Sequence, residues 1–293
     1  MIKKNCIVCG GKKKEIIWND KIRAGTNTFT KKKEIIYKCA KCELVFLKNK
    51  RKFLENSSMA RAIYNKDSSI KEFLSFHKPR EIQKLKFIKK HLKFKNKKIL
   101  ESNCGAGVLL SALKREAKST TGLDSIDYKN FIVKSGHLYY ESLPKMIKKK
   151  KMFDLIFCLS ELEHKIDPIK FLKSLSKILA KSGRLVLRIP NFNNIYRYTL
   201  GYSFYKFDYR TSHNYYFSRK NLDILFKNLN FSAEKILGYH EYDLNHLTAC
   251  IKLKRRVGKK YDRVFSEKES DFFVKNIENA LSSTSLVYIL KRI

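Results

Sequence analysis

Short, largely apolar stretches recur along this chain, separated by segments with a different spacing. Phe153–Leu159 (FDLIFCL) and Gly183–Ile189 (GRLVLRI) have the pattern of strands buried on both faces of a parallel sheet, Lys98–Ser102 (KILES) is a short apolar strand, and Thr120–Leu123 reads as the next strand. Val108–Lys114 (VLLSALK) and Ile169–Leu179 instead space their apolar residues by three and four, which predicts amphipathic helices, and Gly183 stands past the second as its stop signal. Phe231–Gly238 and Leu247–Leu253 predict two further strands that close the sheet as an antiparallel pair. Strand and helix therefore alternate, the order of an α/β, Rossmann-like, doubly wound sheet. Upstream, Ile70–Phe76 and Ile82–His91 read as helices with Pro79 as a break between them, a connection that covers the sheet edge. Downstream, Glu267–Leu281 reads as a helix, and the apolar SLVYIL run as either a packed helix or a partner contact.

A different pattern occupies the N-terminus. Cys6 and Cys9 (CIVC) and Cys39 and Cys42 (CAKC) form two C-x-x-C pairs, each able to present two thiolates to one tetrahedral ion. The β-prone segments Glu15–Trp18 and Glu34–Tyr37 lie between them. This is the arrangement of a small zinc ribbon, in which four thiolates close the Zn2+ coordination shell and leave a structural role. A disulfide framework is the competing reading. The expected organisation is a zinc-ribbon-like module at 1–52, a helical connection at 53–97, a cofactor-binding domain at 98–253 and a basic, helical extension at 254–293 that contains KRRVGKKYDR.

Composition narrows the class. With 293 residues and 43% hydrophobic residues the chain is long enough and apolar enough to bury a core. No apolar run approaches about 18 residues, and no such run follows the charged start, so neither membrane insertion nor a secretory leader is expected and the cytoplasm is. The net charge of +37 invites a nucleic-acid partner. Yet Lys dominates over Arg, and Lys, Asn, Ile, Phe and Tyr share A/T-rich codons, so a solvated, Lys-biased surface explains most of it. The ribbon module is moderately more basic than the remainder.

Candidate chemistry begins at the turn Asn103–Gly107 (NCGAG), between a strand and a helix. Small residues there let backbone amides approach a ligand at the helix start. Asp124 ends the next strand, where an acid accepts hydrogen bonds from ribose hydroxyls or, alternatively, caps the following helix.

ILESNCGAGVLLSAL, GLDSID, FDLIFCLSELEHKIDPIKFLKSLSKILAKSGRLVLRIPN and HNYYFSRKNLDILFKNLNFS together resemble a class I S-adenosylmethionine-dependent methyltransferase, from about Lys98 to Leu253. The resemblance implies a seven-stranded sheet and S-adenosyl-L-methionine as cofactor. It places Glu101 at the methionine amino group, Asn103, Cys104, Gly105 and Gly107 around methionine and ribose, and Asp124 at the ribose diol. Leu159 and Ser160 would lie beside the sulfonium, with core packing the alternative for Leu159. With the ribbon in front, the chain is also similar to sugar and small-molecule methyltransferases of surface-glycan or natural-product clusters.

Three departures qualify this. Asn103 replaces the first glycine of the usual turn, and Asn tolerates positive φ. The third strand's usual terminal acid has no clear counterpart, with Tyr139 or Glu141 nearest. The first acid of an E-x-x-E-H metal pattern is Ser160, which argues against metal-dependent transfer. Candidate bases are His164, Glu163 and His213, with loop capping as the other reading for His164. The aromatic stretch Tyr196–Tyr216 reads as a substrate-covering lid or as packing within an insertion. Cys104, Cys158 and Cys250 read as packing residues. Three functions remain: methyl transfer to a small-molecule or sugar acceptor, methylation of RNA with the basic ribbon as binding module, and a non-catalytic protein that retained the fold, prompted by Asn103.

Overall fold

The computed structural model describes residues 5–25, 28–51, 70–124, 128–258 and 260–293. The chain opens with strands β1 (Lys14–Asp20), β2 (Glu34–Cys39) and β3 (Val45–Leu47), followed by helix α1 (Ile70–Lys89). Next come β4 (Lys98–Ser102), α2 (Val108–Leu113), β5 (Ser119–Leu123), α3 (Lys129–Lys134), β6 (Leu138–Tyr140), α4 (Leu143–Lys148) and β7 (Phe153–Leu159). A 3-10 turn at Leu162–His164 leads to α5 (Pro168–Ser176) and β8 (Leu179–Pro190). The chain ends with α6 (Ile195–Leu200), α7 (Tyr202–Asp208), β9 (Tyr215–Tyr216), α8 (Arg219–Asn228), β10 (Phe231–Tyr239), α9 (Leu244–Lys252), α10 (Glu267–Asn279) and β11 (Ser285–Arg292).

Four local expectations need correction. Pro79 does not break the connection: one helix, α1, runs through it and packs on α2. A proline removes one helical donor, and tertiary packing can offset that loss. Gly183 lies inside β8, not past a helix, because α5 already ends at Ser176. A Cβ at Gly183 would stand 2.9 Å from both the Phe153 carbonyl and Leu179 Cδ1, so close backbone approach explains the glycine. Leu247–Leu253 belongs to helix α9 and not to a strand. Asp243 caps that helix by accepting from His246 N, and Leu247 and Cys250 share its buried face. The second strand of the closing pair is instead the SLVYIL run, β11, whose residues Leu286–Leu290 are all buried.

Contacts divide the chain into two units. The first comprises Met1–Arg51, Arg188–Asn228 and Lys235–Tyr288. Its sheet has the order β1-β2-β3-β9, antiparallel throughout, with Val45 opposite Tyr216 and Phe46 opposite Tyr215. Trp18, Ile36, Val45 and Leu47 from the N-terminal strands share one core with Phe192, Tyr196, Phe204, Tyr209, Tyr216 and Leu247. The aromatic stretch is therefore mainly packing and not a lid: Tyr196, Phe204, Tyr209 and Tyr215 are buried, although Tyr198 and Tyr202 are exposed. Stacked and edge-on ring pairs, such as Tyr205–Tyr209 at 5.4 Å and Tyr209–Tyr216 at 5.0 Å, add an aromatic cluster to the aliphatic part of this core.

The second unit comprises Lys52–Leu187, Leu229–Glu234 and Ile289–Ile293. The seven-stranded sheet has the order β10-β11-β8-β7-β4-β5-β6, and β7, β4, β5 and β6 are parallel neighbours. Ile99, Leu100, Leu155, Ile156 and Phe157 are buried, as a sheet covered on both faces requires. The doubly wound architecture read from the apolar pattern is the one observed.

Candidate functional site

Register sets the site. Glu101 lies between Gly122 and Phe157, and Ser102 between Leu123 and Cys158. The chain therefore leaves β4, β5 and β7 side by side, at Asn103, Asp124 and Ser160. β4 is the first strand of this parallel set and has later strands on both sides, which makes its carboxyl end the place where a doubly wound sheet opens a crevice.

The turn after β4 is left-handed at three of five positions: Asn103 (φ 58°), Gly105 (φ 52°) and Gly107 (φ 69°). Asn103 thus adopts the conformation a glycine would, and its N–H donates to Leu123 O at 2.8 Å. Gly105 N donates to Asp124 Oδ2 at 2.8 Å, which fixes the buried carboxylate against the turn. Asp124 is itself held by its N–H to Tyr140 O and by the Tyr139 hydroxyl, which donates to its carbonyl. The Cys104 thiol lies against Gly122 and donates to Gly105 O at 3.7 Å, and burial pushes its pKa well up. A Cβ at Gly122 would meet Cys104 Sγ at 2.6 Å. Gly122→Ala is accordingly expected to lower stability by about 1–3 kcal/mol, as overpacking does. Urea unfolding should show most of that loss restored when Cys104→Ala is added.

Glu101 is buried, and its Oε2 has no hydrogen-bond partner among the described residues. Burial raises its pKa well above the usual carboxylate range, the charges of Glu81 and Asp124 add to this, and Lys84 opposes it. Glu81 and Lys84 pair at 2.7 Å on α1. The helical connection thus contributes charge to the site, which sequence reasoning missed; the signal was an acid and a lysine three residues apart in a helix. His137 was missed as well. Its ring bonds Thr120 Oγ1 at 2.7 Å and Ser111 Oγ at 3.1 Å, tying α2 to β5 beneath the turn.

Beyond β7, Leu159 is half-buried and Ser160 is left-handed (φ 59°), a conformation that costs a non-glycine residue energy. Glu161 is buried and pairs with Lys165 at 2.6 Å, while Cys158 donates its thiol to Glu161 at 3.6 Å. Glu163 is buried on the 3-10 turn, with His164 Nε2 at 3.8 Å from its carboxylate. The Asp167-Pro168 pair is a helix start: Asp167 accepts from Lys170 N at 2.9 Å, and Pro168 takes the first helical position. His213 belongs to the first unit, where it is buried with its ring 5.6 Å from Tyr216. Glu141, near the missing third-strand acid, is a surface group paired with Lys129 and Lys145.

The four ribbon cysteines converge, their sulfurs all within 4.8 Å of one another. Cys6–Cys42 and Cys9–Cys39 Sγ separations are 3.5 and 3.6 Å. These are not disulfides, and all seven cysteines are free. A tetrahedral ion with sulfurs at about 2.3 Å requires neighbouring sulfurs near 3.8 Å, so the donor set fits zinc. Gly11 N donates to Cys9 Sγ at 3.4 Å, and a Cβ at Gly11 would crowd both Cys9 and Cys39. Hydrogen bonding with Cys42 lowers the Cys6 pKa.

Residues 74–236 match the family model described as a methyltransferase domain. The chain belongs to the methyltransferase-domain family. It is 33% identical over 145 residues to a ubiquinone biosynthesis O-methyltransferase of Pelagibacter ubique, covering 47% of this chain and 55% of that protein. It is also 33% identical over 114 residues to a tRNA U34 carboxymethyltransferase of Sulfurimonas denitrificans, covering 36% and 38%. The chain thus spans about half the length of the first of these curated relatives, and less of the second. A crystal structure of a SAM-dependent methyltransferase from Archaeoglobus fulgidus shares the fold, with a TM-score of 0.50 and 19% identity over 75% of this chain and 99% of that one. The fold is therefore that of the class I S-adenosylmethionine-dependent methyltransferases. No described helix of this methyltransferase-family chain is long and apolar enough to cross a membrane.

Proposed function

We propose that this chain transfers the methyl group of S-adenosylmethionine to a small-molecule or carbohydrate-linked acceptor, and that its ribbon holds a structural zinc ion on Cys6, Cys9, Cys39 and Cys42. The observation that carries the transfer reading is the unpartnered, buried Glu101 Oε2 on the strand beside the one that ends at the Asp124 carboxylate. A buried carboxylate oxygen without a donor is costly unless a ligand supplies one. The cofactor's ammonium group is such a donor, and its ribose diol suits Asp124. The backbone of Asn103–Gly107 would cradle the methionine and ribose portions, with Leu159 and Ser160 beside the sulfonium. The left-handed backbone of Asn103 (φ 58°) supports this reading over a non-catalytic one.

When bound, S-adenosylmethionine supplies an electrophilic methyl whose bond to sulfur breaks, leaving the electron pair on sulfur, as the acceptor's lone pair bonds to carbon. The chain's own contribution is placement in line, and removal of the acceptor's proton where it carries one. Glu163, His164 and His213 are the proposed bases. The free cysteines suit a reducing compartment, in keeping with a cytoplasmic protein.

Calorimetry tests this directly: the intact chain should bind S-adenosylmethionine and S-adenosylhomocysteine with one site each, and no heat at millimolar cofactor would sink the reading. Methylation of RNA is the second reading, supported by the tRNA-directed relative and the basic ribbon. It requires RNA affinity that falls steeply with salt, and absence of binding at low salt removes it.

A further inference from the structure

The basic stretch after α9 is not a loose tail. Arg255 N donates to Cys250 O, His246 Nε2 lies 3.2 Å from Val257 O, and Asn245 Oδ1 accepts from both Val264 N and Phe265 N at 2.7 Å. Pinned at both ends, the loop projects Arg256 among aromatic rings. Its guanidinium carbon lies 4.7 Å from the Tyr242 ring centre, 4.9 Å from Phe207 and 5.5 Å from Tyr196.

What this guanidinium lacks is an anion. Among the described residues Arg256 makes no hydrogen bond and no ion pair. The two carboxylates whose charge reaches it are already engaged, Asp208 with Arg210 at 3.1 Å and Glu241 with Arg188 at 2.9 Å. Lys254, Arg255, Lys260 and Arg263 stand exposed on the same loop, where Asp262 is the one acid among the described residues.

A second group points the same way. His240 stacks on Tyr196, rings parallel to 7° and 6.0 Å apart, so it shares that ring with Arg256. Its Nδ1 accepts from Thr284 N at 3.3 Å, and burial holds its pKa down to about 4. A neutral ring with Nδ1 accepting carries its proton on Nε2. That Nε2–H is buried and has no acceptor among the described residues. Two donors that lack acceptors among the described residues, both packed on Tyr196, call for an anionic, oxygen-rich ligand.

We propose that Arg256, with the unpartnered His240 Nε2 on the same Tyr196 ring, binds the terminal phosphate or pyrophosphate group of a small anionic ligand. The site lies wholly within the first unit and stands independently of the transfer reading above. A doubly charged phosphate suits the surplus of cations better than a carboxylate does. A single half-enclosed guanidinium fits one terminal group, whereas an RNA strand needs a track of cations along its backbone.

The test uses the intact chain without cofactor, titrated calorimetrically with inorganic pyrophosphate, with UDP and with sulfate at one ionic strength. Pyrophosphate and UDP should bind, sulfate should bind at least tenfold more weakly, and hydrogen exchange should slow over residues 254–265 when pyrophosphate is present. Arg256→Gln should weaken pyrophosphate binding about tenfold or more, the scale of a charge-assisted hydrogen-bonded pair, and Arg256→Lys less. Neither change should alter affinity for S-adenosylmethionine. Equal binding of sulfate, unchanged affinity in Arg256→Gln, or no exchange protection in the unmodified chain would overturn the site. An RNA oligonucleotide that protects this loop at concentrations where pyrophosphate does not would also overturn it. If Arg256→Gln fails to fold, the exchange experiment on the unmodified chain still decides. Pyrophosphate binding without cofactor binding would refute the transfer reading alone, and the converse would refute this site alone.

Discussion

Cys39→Ser, or removal of metal by a strong chelator, is expected to unfold the ribbon and much of the unit to which it belongs. Structural zinc sites of this donor set contribute about 10–16 kcal/mol in isolated zinc-finger peptides, comparable with or larger than the whole stability of a typical domain. The effect should not stop at residue 51. Trp18, Ile36, Val45 and Leu47 from the ribbon strands share a core with Phe192, Tyr196, Phe204, Tyr209 and Tyr216, so loss of the strands exposes those rings to water. The chain has one tryptophan, and Trp18 is 6% exposed, stacked on Tyr202 at 5.2 Å and edge-on to Tyr209 at 5.3 Å. Its emission should therefore shift to the red as metal leaves, with one zinc per chain released by elemental analysis. Unchanged emission and an unchanged thermal midpoint in a metal-free chain would show that the four thiols hold no structural ion.

Asp124→Ala is expected to weaken S-adenosylmethionine binding about 100-fold. The substitution removes the acceptor proposed for two ribose hydroxyls and releases the Gly105 amide that it now engages; hydrogen bonds to a charged group are worth about 1.5–3 kcal/mol each. Glu101→Gln should cost about tenfold and, more tellingly, should alter the pH response. The Glu101 carboxyl is held protonated above its ordinary range by burial, whereas an ammonium partner favours the ionised form. Cofactor binding should therefore tighten as pH rises towards the raised Glu101 pKa and release a proton, and Glu101→Gln should abolish both effects. Stability of the cofactor-free chain runs in the opposite sense. A carboxyl whose pKa is raised on folding stabilises most below its ordinary pKa, and this contribution declines as pH rises towards the raised value. Buffers of different ionisation enthalpy would measure the proton release, and a pH-independent affinity in the unmodified chain would contradict the Glu101 assignment.

Where local pattern and packing agree, the elements are legible in the amino-acid order alone. FDLIFCL and KILES are strands because a parallel sheet covered on both faces needs nearly continuous apolar residues. The C-x-x-C pairs are legible because metal ligation imposes a spacing that little else requires. Asp124 reads as following a strand, but the Gly105 amide that orients it does not show in the sequence, since that bond depends on the parallel register of β4 and β5.

Elsewhere the same residues fit two local structures, and long-range contacts choose between them. Leu247–Leu253 carries enough apolar residues for a strand, yet Asp243 caps a helix there and Leu247 and Cys250 bury one face of it. SLVYIL fits a helix as well as a strand until its place between β10 and β8 in the sheet order requires the latter. Pro79 reads as punctuation, but α1 packs on α2 and passes through it.

By itself, then, the sequence determined the strand–helix alternation, the four-thiol cluster and the turn with its acid, because each rests on spacing within short segments. Only the tertiary structure decided that the aromatic stretch is core and that, among the described residues, Glu101 Oε2 is left without a donor and Arg256 without an anion. Burial and partnership depend on what distant segments bring to the same place, and no local pattern records that.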